Sequence, residues 1–160
     1  MVQITVLALS TLKEKYYREA VDEYKKRLGG ASRVTEIEIK EEKTPESPSE
    51  AQITAALEKE AERIIEAIPK RSFIITMCIE GRQMTSEEFS KVLEDIPLRG
   101  KSSVCFIIGS SHGLSDKVKA MSDLKLSMSK MTFPHKLARV MLFEAIYRAS
   151  EISAGSKYHK

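Results

Sequence analysis

The chain has 160 residues, of which 42% are hydrophobic and 31% are charged, and its formal net charge is +3 at pH 7. This length predicts a single domain, residues 1–160, with enough chain to bury a core. No segment reaches the roughly 18 consecutive apolar residues of a transmembrane helix, and the N-terminus lacks the features of a signal peptide, so we expect a cytoplasmic protein with no membrane partner. The mild positive charge permits a polyanionic partner without requiring one.

Cysteine and histidine are too scattered to predict a metal site. The two cysteines, Cys78 and Cys105, each lie inside an apolar run typical of a strand, and the chain has only three histidines. Because no Cys-x-x-Cys pair is present, we expect neither zinc nor another metal. Both thiols should be buried and reduced.

Apolar periodicity predicts strands that alternate with helices throughout the chain. The predicted strands are Gln3–Leu9, Val34–Ile39, 72–79, Ser103–Ile108 and 124–127. The predicted helices are 12–28, 48–68, 86–97, 115–121 and 134–153. Most of the strands are apolar on both faces, which indicates the α/β class with a largely parallel sheet flanked by helices. Val34–Ile39 instead alternates strictly, so one of its faces should be covered and the other exposed to water.

Helix starts are marked by two capping patterns and by a proline. Ser47-Pro-Ser-Glu50 and Thr85-Ser-Glu-Glu88 both match the capping box, in which a Ser or Thr and a Glu three residues later satisfy free backbone N–H groups. Pro134 fits the first turn of a helix, because its missing N–H costs nothing there.

The stretch 126–139 has the composition of a pocket wall. Hydroxyl side chains alternate there with large apolar ones just before a helix begins; these residues are Ser127, Met128, Ser129, Met131, Thr132 and Phe133. Such a loop offers hydroxyls and backbone amides while its apolar side chains stay buried, whereas surface loops favour Gly, Asn, Asp and Pro.

The carboxyl ends of three predicted strands carry the candidate ligand-binding segments. Ligands of open parallel sheets bind outside these ends, and the segments 77–81, 109–113 and 128–133 lie there. The turn Gly109-Ser-Ser-His-Gly113 is neither a dinucleotide fingerprint nor a phosphate loop, which disfavours a pyrophosphate cofactor. Its two glycines would let the backbone approach a flat neutral ligand such as adenine, although a plain strand–helix turn has the same sequence features.

The last predicted helix is apolar nearly all round. Its main stripe comprises Ala138, Met141, Leu142, Ala145, Ile146, Ala149 and Ile152. Val140, Phe143 and Tyr147 lie outside the stripe, so the helix should be buried on more than one side. Because the sheet of a small domain covers only one side, we expect a symmetric homodimer. Glu144 and Arg148 are four residues apart and should form an ion pair.

Several strings of the chain resemble the RlmH family of SPOUT methyltransferases. They are L-K-E-K-Y-Y, E-G-R-Q-M-T-S-E-E, I-I-G-S-S-H-G-L, L-S-M-S-K-M-T-F-P-H, A-R-V-M-L-F-E-A-I-Y-R-A and the terminal Y-H-K. Together with the opening strand they extend the resemblance over essentially the whole chain. The S-K-M-T-F-P-H string and the Y-H-K ending are highly specific, whereas the glycine turn alone is not.

The resemblance implies a parallel α/β fold whose C-terminal segment is threaded into a trefoil knot, an exception to the usual un-knotted topology. It implies binding of S-adenosylmethionine in the knot and methylation of N3 of a pseudouridine in large-subunit (23S) ribosomal RNA. It also implies an obligate homodimer in which the C-terminal tail of one subunit completes the active site of the other.

Carried over by position, the resemblance implies a set of cofactor contacts: Met77, Gly109, Met128, Ser129, Lys130, Met131, Thr132 and Phe133. The chain departs from the family at Ser110, where members often have a second glycine, and at Met77, where leucine is common. Both replacements are small or similar in shape. Lys130 is expected either to cap backbone carbonyls or to meet the carboxylate of the cofactor, and His112 is expected to be a loop residue beside the cofactor rather than a base.

Methyl transfer from a sulfonium requires an aligned donor and acceptor, and the N3–H of the acceptor base must lose its proton. The candidates for assisting this step are His135, Arg139, Tyr158 and His159. His135 and Arg139 are four residues apart and should share a helix face, although a structural role in the first helical turn explains His135 equally well. Tyr158 and His159 belong to a frayed tail unless a partner subunit or RNA orders them, and the resemblance favours ordering.

Two other functions are compatible with such a fold: a non-catalytic ribosome-binding protein and an enzyme acting on a small molecule. The intact S-K-M-T-F-P-H and Y-H-K strings disfavour the first, because loss of catalysis should alter them before the fold. An acceptor pocket completed by a charged tail suits a large anionic substrate better than a small molecule.

Overall fold

Strands and helices alternate along the chain in the computed structural model, which describes residues 2–30 and 33–159. The strands are Gln3–Leu9 (β1), Val34–Ile39 (β2), Ser72–Arg82 (β3), Ser103–Ile108 (β4) and Leu124–Leu126 (β5). The helices are Lys15–Arg27 (α1), Glu50–Ala67 (α2), Ser86–Asp95 (α3), Asp116–Ala120 (α4) and His135–Ser153 (α5), with a 3-10 turn at Pro97–Arg99.

The five strands form one sheet in the order β2-β1-β4-β3-β5, and every neighbouring pair is parallel. The predicted parallel α/β fold is therefore confirmed. The knot of the C-terminal segment stays a prediction from the family resemblance.

The sheet is covered by helices on both faces. Along β4, Val104, Phe106 and Ile108 pack with α1, α3 and α5, whereas Cys105 and Ile107 pack with α2 and α4. Because successive residues of a strand point to opposite faces, a strand covered on both sides reads as a continuous apolar run. The prediction that both cysteines are buried and free is confirmed.

Two predicted helix starts are wrong by a few residues. Helix α1 begins at Lys15 and not at residue 12, because Leu12 is buried and its N–H donates to the carboxylate of Glu38 at 2.9 Å. Helix α2 is capped by Ser49 and not by Ser47, and its reciprocal partner is Gln52. The capping box predicted at Thr85 and Glu88 is confirmed at the start of α3.

The segments that flank the last two strands differ slightly from the prediction. Strand β3 continues through Gly81 to Arg82, where it pairs with Leu126 of β5 after a register shift. A Cβ atom at Gly81 would lie 2.7 Å from the carbonyl carbon of Lys125, so only glycine allows this approach. Pro134 has an extended ψ of 138° and precedes α5 as its N-cap, one residue before the helix begins.

The prediction of one water-exposed face on β2 holds for Glu38 but not for Glu36. The side chain of Glu36 is only 4% exposed and contacts Arg18 of α1 at 2.7 Å and Arg139 of α5 at 3.0 Å. Two helices bring cations onto this face of β2 and bury Glu36 against them, whereas Glu38 on the same face remains exposed to water. In the described part of the chain, none of the helices is both long and apolar enough to span a bilayer.

Candidate functional site

The end of β3 and the loops after β4 and β5 enclose one cavity of about 710 Å³. This is the carboxyl edge of the sheet, where the three candidate segments are predicted to meet. All of the predicted cofactor contacts except Lys130 line this cavity: Met77, Gly109, Met128, Ser129, Met131, Thr132 and Phe133. His112 lines it as well, whereas Lys130 is exposed outside it.

The glycine turn after β4 is folded tightly on itself. The N–H of Gly113 donates to the carbonyl of Ser110 at 2.9 Å, and Gly113 has a φ of +83°, which glycine adopts without strain. A Cβ atom at Gly109 would lie 2.4 Å from the carbonyl oxygen of Gly113. The turn therefore needs glycine at both ends, and its backbone forms one wall of the cavity.

Hydroxyl groups fix the loop between β5 and α5. Ser127 donates its hydroxyl to the carbonyl of Ser129 at 3.0 Å, and the hydroxyl of Ser129 accepts the N–H of Met131 at 3.0 Å. The N–H of Ser127 donates to the carbonyl of Arg82, which ties the loop to β3. The expectation that the apolar side chains of this loop are buried fails at Met131, which is 71% exposed at the edge of the cavity.

An ion pair that the sequence did not indicate also lines the cavity. Lys119 of α4 contacts Glu80 of β3 at 2.6 Å, and both residues line the cavity. Glu80 belongs to the segment 77–81 and to the E-G-R-Q-M-T-S-E-E string, but nothing in the sequence indicates that it pairs with Lys119, 39 residues later. Among residues 2–30 and 33–159, no group of three acidic, cysteine or histidine side chains is placed to hold a metal ion.

His135 lies at the start of α5 and lines the cavity. Its Nε2 atom is buried and has no hydrogen-bond partner among the described residues. Burial lowers the pKa of His135 below its ordinary value, so the imidazole is neutral at pH 7. His135 thus places a neutral imidazole at the cavity wall, and its Nε2 makes no hydrogen bond among the described residues.

Arg139 does not line the cavity, which corrects the expectation that it shares a substrate-facing side of the helix with His135. Its side chain is 1% exposed, and its guanidinium contacts the carboxylates of Glu36 at 3.0 Å and Glu38 at 2.8 Å. It also donates to the carbonyl of Ser10 at 2.9 Å. The two carboxylates hold this cation inside the protein, so Arg139 joins the start of α5 to the ends of β1 and β2.

Tyr158 and His159 of the C-terminal tail pack against α5 and α3 of the same chain, while Lys160 of the Y-H-K ending lies outside the described residues. Tyr158 donates its hydroxyl to the carboxylate of Glu144 at 2.9 Å, and its ring lies under the guanidinium of Arg148 at 4.7 Å. Nε2 of His159 contacts a carboxylate oxygen of Glu87 at 2.8 Å. The predicted ion pair between Glu144 and Arg148 is confirmed at 2.7 Å. The pKa of Tyr158 is raised by burial and by Glu144.

The tail lies beside a second, smaller cavity of about 290 Å³ between α3 and α5. Glu144 and Arg148, which hold Tyr158, line this cavity. Ser127 and Met128 line both cavities. The loop that precedes α5 therefore borders both the main cavity and the smaller cavity beside the tail.

Comparison with known proteins gives one consistent result. Residues 2–159 match the family model described as "Predicted SPOUT methyltransferase". A relative from Methanococcus maripaludis is 50% identical over 157 residues, which are 98% of this chain and 99% of that protein. A protein of Clostridium acetobutylicum named "Ribosomal RNA large subunit methyltransferase H" is 48% identical over the same shares of both chains.

A solved structure supports the fold at much lower identity. It is titled as a probable methylase family protein from Haemophilus influenzae, and it matches with a TM-score of 0.59 and 15% identity. The match covers 100% of this chain and 72% of that chain. At this identity the similarity establishes the architecture alone.

Proposed function

The chain belongs to the SPOUT methyltransferase family, and from this premise we propose that it methylates N3 of a pseudouridine in large-subunit ribosomal RNA with S-adenosylmethionine as the methyl donor. The resemblance to the RlmH family agrees with the names of its relatives. The observation that carries the proposal is the cavity at the carboxyl edge of the sheet, in which the glycine turn meets the loop before α5. A ribosomal substrate also favours a cytoplasmic location.

The residues around the cavity fit S-adenosylmethionine. A volume of about 710 Å³ is ample for a ligand of this size. The bare backbone at Gly109 suits a flat adenine ring, Met128 and Phe133 offer apolar surface, and Thr132 offers a hydroxyl. When bound, S-adenosylmethionine supplies an electrophilic methyl group on a sulfonium centre.

The protein then has to align the acceptor base and remove its N3 proton. His135 is the best candidate for the base, because its imidazole is neutral at pH 7 and Nε2 is free to accept a proton. Tyr158 has a raised pKa and keeps its proton, which it donates to Glu144. Arg139 supports the start of α5 from within and does not contact the substrate.

Replacing His135 by Asn should lower kcat by about 100-fold, the lower range of general base catalysis, while the Kd for S-adenosylmethionine changes little. A base works only when unprotonated, so the wild-type rate should fall as the pH drops through the lowered pKa of His135. This acidic limb lies below the ordinary histidine value and should be absent from the variant. Steady-state rates measured from neutral pH down into the acidic range check both points, and an unchanged pH profile in His135→Asn would exclude His135 as the base.

The partners that we propose are ribosomal RNA and a second copy of the chain. Helix α5 buries Leu142, Phe143 and Ile146 in its own core, while Val140 and Met141 stay partly exposed. These half-covered apolar residues favour a homodimer through α5. The partner's tail would then lie near the cavity mouth, where Met131 is exposed.

Removing residues 158–160 should abolish methylation of ribosomes while leaving the affinity for S-adenosylmethionine unchanged. Tyr158 and His159 contact α5 and α3 and do not line the main cavity, so loss of the tail should affect the acceptor and not the methyl donor. Methyl transfer to ribosomes and calorimetric titration with S-adenosylmethionine measure the two effects separately. Full methylation by the truncated protein would mean that the tail has no role in the reaction.

Calorimetric titration with S-adenosylmethionine, in parallel with NAD and ATP, tests the proposed cofactor. We expect saturable binding of S-adenosylmethionine alone, weakened at least about tenfold by Thr132→Trp, because the indole would fill part of the cavity. Thr54→Trp makes the same change at an exposed position of α2 and should bind normally. Preferential binding of NAD or ATP would contradict the proposal.

A further inference from the structure

Glu60 is a buried acid that the proposed mechanism does not use. It lies on α2, only 3% exposed, and each of its carboxylate oxygens has one partner. One oxygen accepts the hydroxyl of Ser110 at 3.1 Å, and the other accepts the backbone N–H of Glu42 at 2.9 Å. Burial raises the pKa of Glu60. An acid is seldom buried so deeply unless its oxygens are hydrogen-bonded. What Glu60 does for the two groups that it contacts therefore requires an explanation.

Ser110 connects this acid to the cavity. It follows Gly109 in the turn after β4, it is buried, and it lines the main cavity. Its carbonyl accepts the N–H of Gly113, which closes the turn. The hydrogen bond from Ser110 to Glu60 therefore links the glycine turn to helix α2. It fixes the residue next to Gly109, where the two ends of the turn approach each other most closely.

The segment between β2 and α2 forms a second brace for the same turn. Arg63 of α2 donates to the carbonyl of Lys40 at 2.9 Å, and the N–H of Glu42 donates to Glu60. From this segment the hydroxyl of Thr44 contacts Nε2 of His112 at 3.4 Å. Helix α2 thus holds the glycine turn directly through Ser110 and indirectly through the preceding segment.

We propose that Glu60 and Ser110 are positioning residues that hold the glycine turn in the conformation that receives the cofactor. This inference rests on the proposed function. A turn that is already ordered loses little conformational entropy when the ligand binds. Removing the hydrogen bond between Glu60 and Ser110 should therefore weaken the binding of the cofactor. It also gives a role to the serine that stands where family members often have glycine.

A purely structural role makes a different prediction. If the hydrogen bond between Glu60 and Ser110 only stabilises the fold, their replacement should lower the free energy of unfolding. The affinity of the folded protein for S-adenosylmethionine should then stay unchanged. A positioning role predicts a rise in the Kd and KM for S-adenosylmethionine, with kcat at saturation nearly unchanged.

The test compares four single variants and the double variant Ser110→Ala/Glu60→Met by calorimetric titration and steady-state kinetics with S-adenosylmethionine. Ser110→Ala should raise the Kd about three- to tenfold, the effect of one hydrogen bond, with kcat within about twofold of the wild type. Glu60→Met should act similarly, and Ser110→Ala should add little in its presence. Glu60→Gln can accept the N–H of Glu42 with its amide oxygen and donate its NH2 to the Ser110 hydroxyl, so it should keep most of the affinity. Glu62→Gln, on the exposed side of α2, is the matched control and should equal the wild type.

The outcomes separate this inference from the proposed function. Binding by the wild type with an unchanged Kd in Ser110→Ala would overturn the inference alone. Full additivity of Ser110→Ala and Glu60→Met would do the same, because it would show that the two residues act independently. Failure of the wild type to bind S-adenosylmethionine would overturn the proposed function together with the inference.

Discussion

Replacing Arg139 by Met should lower the free energy of unfolding by about 3–5 kcal/mol, the cost of removing one partner from a buried ion pair. The guanidinium is 1% exposed and lies between the carboxylates of Glu36 and Glu38. Without it, both carboxylates would stay in place with less compensating charge. The loss should fall near the lower end of the range, because Arg18 still contacts Glu36.

Urea denaturation of the wild type and of Arg139→Met measures this loss. The matched control is Lys91→Met, which removes an exposed ion pair with Asp95 on α3 and should leave the unfolding midpoint nearly unchanged. A loss of under about 1 kcal/mol in Arg139→Met would show that the interior accommodates Glu36 and Glu38 without this cation.

Replacing Gly109 by Ala should raise the Kd for S-adenosylmethionine between about tenfold and a hundredfold, which corresponds to the ~1–3 kcal/mol that overpacking costs. The new Cβ would lie 2.4 Å from the carbonyl oxygen of Gly113, so the turn must open at the cavity wall. Calorimetric titration of the wild type and the variant measures the change in affinity directly.

The control for this variant is Gly100→Ala. Gly100 has a φ of +74°, and beyond its chain neighbours no heavy atom lies within 4 Å of the place that a Cβ atom would take. It also lies outside the cavity. Its replacement should therefore lower stability through backbone strain and leave the affinity intact. Wild-type affinity in Gly109→Ala would mean that the turn does not contact the cofactor.

The strands and the place of the cavity could be predicted because both depend on local patterns. Three of the strands, Gln3–Leu9, Val34–Ile39 and Ser103–Ile108, have the predicted bounds, since apolar periodicity ends where the strand ends. The rule that ligands bind at the carboxyl ends of parallel strands then placed three loops around one cavity.

The buried charges could not be predicted because their partners are distant in sequence. Glu36 has the pattern of an exposed residue in an alternating strand, yet its partner Arg139 lies 103 residues later. The same holds for Glu60 and Ser110, which are 50 residues apart and join a helix to a turn. Periodicity describes one element at a time and does not indicate which charges meet after folding.

The start of α5 shows why residue spacing alone misassigned a side chain. His135 and Arg139 are one helical turn apart, and this spacing suggested a shared face toward the substrate. In the folded protein His135 lines the cavity, whereas Arg139 reaches the carboxylates of β2. A long side chain on a helix is directed by the charge that it can reach as well as by its angular position.

Transfer of a radioactive methyl group from S-adenosylmethionine to ribosomes that lack the modification tests the proposed reaction most directly. We predict one methyl group per large subunit, recovered after digestion of the RNA as N3-methylpseudouridine, with no transfer by the protein lacking residues 158–160. Saturable binding of S-adenosylmethionine with no methyl group on the ribosome would contradict the proposed function.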